Sequence, residues 1–219
     1  MAQTNAPDAK ILEDVARQIR ERLITTDPEN ELTFSFTTLN DRGSPQTSVV
    51  DMGETFELWL LTPTAVDKFE AGGGDLARLA TRTGRLHHQI RLDDGSAAFA
   101  RSDLAQPGVN APPVVDEIFV SRRAAEIDKA IERANHEFPD DTYLARLLSA
   151  PAYQVESLWF VNKAQADHGV ETGGELLIVT APRNQTRLSA LQRIDAPQFL
   201  KALVGMPVGM GLIARSERS

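Results

Sequence analysis

Cysteine is absent from the 219 residues of this chain. Its absence removes disulfides, thiolate nucleophiles, iron–sulfur clusters and cysteine zinc sites together. Long hydrophobic runs are missing too: no stretch reaches the roughly 18 apolar residues that a membrane-crossing helix requires. The opening residues are polar and then amphipathic, without the apolar centre of a signal peptide, so a cytoplasmic protein is expected. Positive charge is in deficit, with 23 lysines and arginines against 31 aspartates and glutamates, a net −8. A surface of that balance does not hold nucleic acid or anionic membrane indiscriminately, although a local basic patch is compatible with it.

What is present suits a folded globular chain, 42% hydrophobic and 25% charged. It is organised around residues 121–161. Ala124, Ile127, Ile131, Ala134 and Phe138 recur at steps of three and four, which predicts a helix with one apolar stripe. Ser121 is placed to cap its start and Pro139 to end it near Phe138. Asp140 or Asp141 then caps an expected second helix, with Tyr143, Leu144, Leu147 and Leu148 inward, ending by Pro151. Residues 153–161 read as a strand. Leu158, Trp159, Phe160 and Val161 are apolar without a break, so that strand needs cover on both faces.

Before this stretch, residues 8–23 carry Ile11, Leu12, Val15, Ile19 and Leu23 at helical spacing. Leu32, Phe34 and Phe36 alternate with polar residues, as in a strand with one wet face. After a turn at Asn40, Asp41, Arg42 and Gly43, strands are expected at 46–52 and 55–61, parted by Gly53 and Glu54. A short helix at 63–71 is interrupted by Gly72, Gly73 and Gly74. Asp75 then caps a second helix holding Leu76, Leu79 and Ala80, ended by Gly84. Residues 86–92 and 97–101 form a hairpin around Asp93, Asp94 and Gly95. Residues 102–113 hold three prolines and a glycine and read as a linker between lobes at 1–104 and 105–219. A strand at 114–120 leads into the organising stretch.

After it come a polar loop at 162–174, a strand at 176–180, and a loop or frayed helix at 182–193. A short helix at 198–204 follows Asp195 and Pro197 and ends at Gly205. The last apolar stretch, 208–214, reads as a closing strand. Both halves can be parsed as strand, two helices and two strands. Leu76-Ala77-Arg78-Leu79 reappears at the corresponding place as Leu144-Ala145-Arg146-Leu147.

Residues able to do chemistry are scattered. His87 and His88 adjoin in a strand, so they face opposite ways and do not chelate one metal together. His88 shares a face with Leu86 and Ile90 and is expected to be half-buried and hydrogen-bonded. His87, beside Arg85 and Gln89, is expected in water. His136 lies on the charged helix and His168 in the polar loop. No HExxH, HxH or histidine–carboxylate spacing exists, so no metal site is assigned. The Gly72-Gly73-Gly74-Asp75 run before a helix resembles a phosphate cradle but lacks Gly-Lys-Ser/Thr, and Asp75 sits where an anion would go; a flexible joint is expected. Arg78, Arg82 and Arg85 could present a cationic face, as could Arg183, Arg187 and Arg193, although solvated surfaces look the same. The Asp93-Asp94 and Asp140-Asp141 pairs fall at a turn and a helix start, where aspartate has structural uses. Ser44 and Ser96 lack the GxSxG setting of a nucleophile. Trp59, Trp159 and Phe160 are expected in the core. Catalytic and cofactor-binding residues stay unassigned.

Residues 34–50, FSFTTLNDRGSPQTSVV, resemble the opening hairpin of split-barrel flavoproteins of the pyridoxamine-phosphate oxidase type. There a strand ends in a short Gly-x-Pro turn, matched here by Gly43, Ser44 and Pro45, and a helix comes before it. The downstream GGGDLARLATRTGRLHHQ departs from that pattern and leaves a phosphate-binding Arg or Lys unidentified. The resemblance implies an oxidoreductase binding FMN or a phosphate ligand.

The expected fold is α+β, mostly antiparallel sheet with packed helices, in two associated lobes. The leading expectation for function is a non-enzymatic protein, without a cofactor, that binds a protein partner or assembles with itself. Its contact surface is residues 204–214, from Val204 to Ala214, where two Gly-Met steps give an adaptable apolar segment. The flavin oxidoreductase is the alternative. A hydrolase drawing Asp and His from separate loops would leave no local motif.

Overall fold

The structure is a computed structural model describing residues 3–4, 9–25, 38–39, 45–46, 50–92, 97–103, 114–120, 122–138, 142–163, 175–180, 182 and 187–208. In chain order its elements are β1 (Gln3–Thr4), α1 (Ala9–Thr25), β2 (Thr38–Leu39), β3 (Pro45–Gln46), β4 (Val50–Leu60), α2 (Pro63–Gly72) and α3 (Leu76–Leu79). Then come β5 (Thr81–Leu92), β6 (Ala97–Asp103), β7 (Val115–Val120), α4 (Arg122–Glu137), β8 (Tyr143–Ala150), β9 (Val155–Asn162), β10 (Leu176–Val179), β11 (Arg193–Asp195) and α5 (Ala196–Leu203). The chain is α+β, and its strands pair mostly antiparallel.

Two compact units can be distinguished: Met1–Asn5, Glu57–Thr83 and Lys129–Ser219 make the first, Ala6–Phe56 and Gly84–Asp128 the second. The lobe boundary expected near residue 104 falls in 104–113, outside the described residues.

In the first unit the strand order is β11-β10-β9-β8-β4-β5. β9 pairs antiparallel with β8 from Tyr143↔Asn162 to Ala150↔Val155, and with β10 on its other side. β4 joins β8 parallel, with Leu58 opposite Leu147. The side chains of β9 show why this strand is central. Val155, Trp159 and Val161 pack into a cluster with Val66, Leu76, Phe199, Leu200 and Leu203 from α2, α3 and α5. Phe160 points the other way and stacks on Phe138, just beyond α4, at 4.7 Å between centroids. None of residues 158–161 is more than 1% exposed, and burial on that scale contributes roughly 1.5–3 kcal/mol per large side chain before entropy. The strand is covered on both faces, as expected. Asp195 caps α5 by accepting from the Gln198 amide at 2.7 Å, and Gly205 beyond it takes a φ of +72°.

Residues 143–150, expected as a helix, are β8 instead. Leucine, alanine and arginine favour helix, and the apolar positions fit a 3.6 repeat, but residues 144–150 are all buried. A fully covered strand produces that pattern as readily as a helix face does. The repeated tetrapeptide makes the point: Leu76–Leu79 is helical and residues 144–147 are extended, so the internal correspondence does not hold there.

In the second unit the order is β4-β5-β6-β7. α1 lays Val15 and Ile19 against Ile90, Leu92, Ala98, Ala100 and Val115. The Gln18 side chain accepts from the Val115 amide at 3.0 Å, occupying a backbone donor on β7, the last strand in the order. The opposite face meets the first half of α4, where the Gln89 amide donates to the Ala124 carbonyl at 2.9 Å.

The two strands expected around Gly53 and Glu54 are one, β4, which runs through both residues. Gly53 serves close approach and not a turn: a Cβ there would lie 3.2 Å from Gln89 Cβ. Likewise α3 ends at Leu79, and Gly84, expected to end it, sits inside β5 with φ +72°. The pairing of β5 with β6 bears out the expected hairpin strands. In the expected loop or frayed helix at 182–193, Arg193 begins the strand β11.

Candidate functional site

Alternation along β5 turns His87 and His88 to opposite faces, and both are buried. His88, expected half-buried, is 0% exposed. Its Nδ1 is 3.0 Å from Thr55 Oγ1 and its Nε2 is 2.8 Å from Ser102 Oγ. Burial lowers its pKa from 6.5 to about 4.

His87, expected in water, is 1% exposed. Its ring stacks on Phe99 at 4.7 Å, and its Nε2 lies 2.9 Å from Gln89 Oε1. An amide oxygen only accepts, so Nε2 carries the hydrogen. Nδ1 has no hydrogen-bond partner among the described residues. Gln89, also expected in water, donates to Asp128 Oδ1 at 2.7 Å as well as to Ala124. Desolvation, reinforced by the Arg101 charge and partly offset by the Gln89 bond, lowers the His87 pKa from 6.5 to about 3. What the local pattern omits is α4, which covers this polar face from 35 residues downstream.

Ser102 against His88 has the contact of a nucleophile and its base, but Thr55 occupies the nitrogen where a carboxylate would orient the ring. Thr55, His88 and Ser102 are all buried inside the packed sheet, and chemistry on a substrate requires contact with it. The arrangement is a buried hydrogen-bond network. His136 is exposed at the end of α4; His168 lies outside the described residues. No group of three His, Asp or Glu among the described residues could hold a metal.

Arg78, Arg82 and Arg85 do not share a helical face, because α3 ends at Leu79. Arg78 on α3 pairs with Asp75 at 3.9 Å, Arg82 on β5 with Glu57, and Arg85 with Asp103 at 3.9 Å. Helical spacing does not apply beyond Thr81, where the strand begins. Arg193 stands over the Phe138 ring at 5.2 Å and reaches Glu137 at 3.4 Å, beside Arg133. Arg187 is exposed. At the triple glycine, Gly73 and Gly74 take φ of +74° and +138°, and the Gly73 amide closes α2 on Phe69. Asp75 makes no side-chain cap bond to the four-residue α3. Arg183, Asp93, Asp94, Asp140, Asp141, Ser44 and Ser96 fall outside the described residues.

One cluster escaped the sequence reading because Arg146 was assigned to a helix. On β8 it faces the same way as Leu148 and Ala150, between β4 and β9. It lies across from Trp159, and one step along the parallel register puts Glu57 on its other side. Arg82, Glu57, Arg146 and Trp159 thus form a row across four neighbouring strands. The Arg146 guanidinium carbon is 4.5 Å from the Trp59 ring centroid and 4.9 Å from that of Trp159. The indoles meet edge to face at 5.3 Å. Trp159 is in the core as expected, whereas Trp59 is half-buried. The available signal was a charged residue at a two-residue step from apolar ones, visible only once residues 143–150 are read as a strand.

Compared with protein-family models, curated proteins and solved structures, the chain matches none.

Proposed function

We propose that the protein works by binding a partner or a second copy of itself, with residues 204–214 as its contact segment. The observation that carries this reading is where the chain leaves the core. Phe199, Leu200 and Leu203 anchor α5 at 0% exposure, and Met206 still packs on the cluster. Val208 is then 41% exposed, one of two large hydrophobic side chains so exposed among the described residues. The sequence continues Gly209, Met210, Gly211, Leu212, Ile213, Ala214, so its apolar character persists beyond Val208. The buried histidines and paired arginines are consistent with this reading, since their bonds serve the fold.

Removing residues 207–219 tests it while keeping Met206 and the α5 packing. The intact protein should run in solution as a multiple of 24.0 kDa, or retain a partner, and the shortened chain should do neither. Unchanged mass and unchanged partner binding would sink the reading. FMN added to the intact protein should leave no bound flavin absorbance; a bound flavin would favour the oxidoreductase that residues 34–50 imply.

A further inference from the structure

In the second unit β4 and β5 border a cavity of about 340 Å³, a volume in the range of small-molecule sites. Among the described residues it is lined by Met52, Gly53 and Glu54 of β4 and by Arg91 of β5. Met52 is half-buried against the cluster that holds Val15, Ile19, Ile90 and Leu92, so one wall is apolar and backed by core. Gly53 adds backbone without a side chain. Glu54, half-buried, and Arg91, exposed, bring one charge of each sign to the same space. Neither makes an ion pair or side-chain hydrogen bond, with the other or elsewhere, among the described residues. Arg78, Arg82, Arg85, Arg133 and Arg193, by contrast, are each paired with a carboxylate. Opposite charges that line one cavity without meeting each keep their bonding capacity for what enters it. A lone anion or a lone cation would satisfy one of them and leave the other. We infer that the cavity binds a small zwitterion, a free amino acid with an apolar side chain. Its carboxylate bonds to the Arg91 guanidinium, its ammonium to the Glu54 carboxylate, and its side chain lies against Met52.

The full-length protein, labelled with nitrogen-15, is titrated with L-leucine at neutral pH and constant ionic strength, and its backbone amide resonances are followed. The Gly53 and Arg91 amides should shift saturably, with a half-point on the order of millimolar, as suits ion pairs at a partly open site. Sodium acetate and butylamine carry the two charged groups on separate molecules, and each should need roughly tenfold more to reach its half-point. Arg91→Gln and Glu54→Gln each remove one charged partner and should raise the leucine half-point roughly tenfold. Neither side chain is in the core, so the rest of the spectrum should stay as it is, and either variant suffices should the other misfold. The absence of a saturable shift would overturn the inference. So would acetate or butylamine binding as tightly as leucine, or a leucine half-point that neither substitution moves.

Discussion

Between pH 6.5 and about 4 the protein should lose stability steeply, because two buried histidines must stay neutral in the fold. His87 and His88 have folded pKa values of about 3 and about 4, against 6.5 for the unfolded side chain. Within that window the unfolded chain binds protons that the folded chain refuses, so stability rises with pH. Above pH 6.5 both forms are neutral and the contribution is fully present. As pH falls, each histidine withdraws about 1.4 kcal/mol per pH unit, on the order of 3–5 kcal/mol over its whole range. That is a large share of the roughly 5–15 kcal/mol that holds a typical domain folded. Urea titrations at pH 7, 6 and 5 measure it. The midpoint should fall with each step, and His88→Asn should remove about half of the slope. A midpoint level between pH 6.5 and 5 would refute the burial of both rings.

The second large effect belongs to Arg146. Arg146→Ala should cost about 3–4 kcal/mol, since it empties the slot between two indoles and removes two cation–π contacts. Arg146→Met fills the slot without the charge and should cost no more than about 1–2 kcal/mol. Glu57→Gln should cost less in the Arg146→Met background than in the native one, by at least about 1 kcal/mol. Equal losses in the two arginine variants, measured by chemical denaturation, would show that filling the slot contributes nothing, and an Arg146→Met variant as stable as the native protein would show that Arg146 contributes nothing beyond bulk. Independence of the Glu57 effect from the arginine would remove the electrostatic row.

These two sites mark where the amino-acid string stops being informative. α4, β9 and α5 were legible because their signals are local: an apolar stripe ended by Pro139, an unbroken apolar run, and an aspartate–proline start with a glycine stop. β8 was not, because Leu144, Leu147 and Leu148 satisfy two periods at once, and only β4 and β9 on either side decide between them. That error hid Arg146. His87 and Gln89 read as a wet face because the helix covering them begins well downstream. In each case the deciding neighbour is distant in sequence.

Neither unit is continuous along the chain, and this bears on synthesis from the N-terminus. Leu61, Val66 and Leu76 are made early, yet their packing partners Leu148, Trp159, Phe199 and Leu203 belong to the same cluster and emerge last. A nascent chain stalled near residue 128 holds every segment of the second unit, while the early apolar side chains of the first still wait for cover. Such an intermediate is the species on which a chaperone would act and from which aggregation would start.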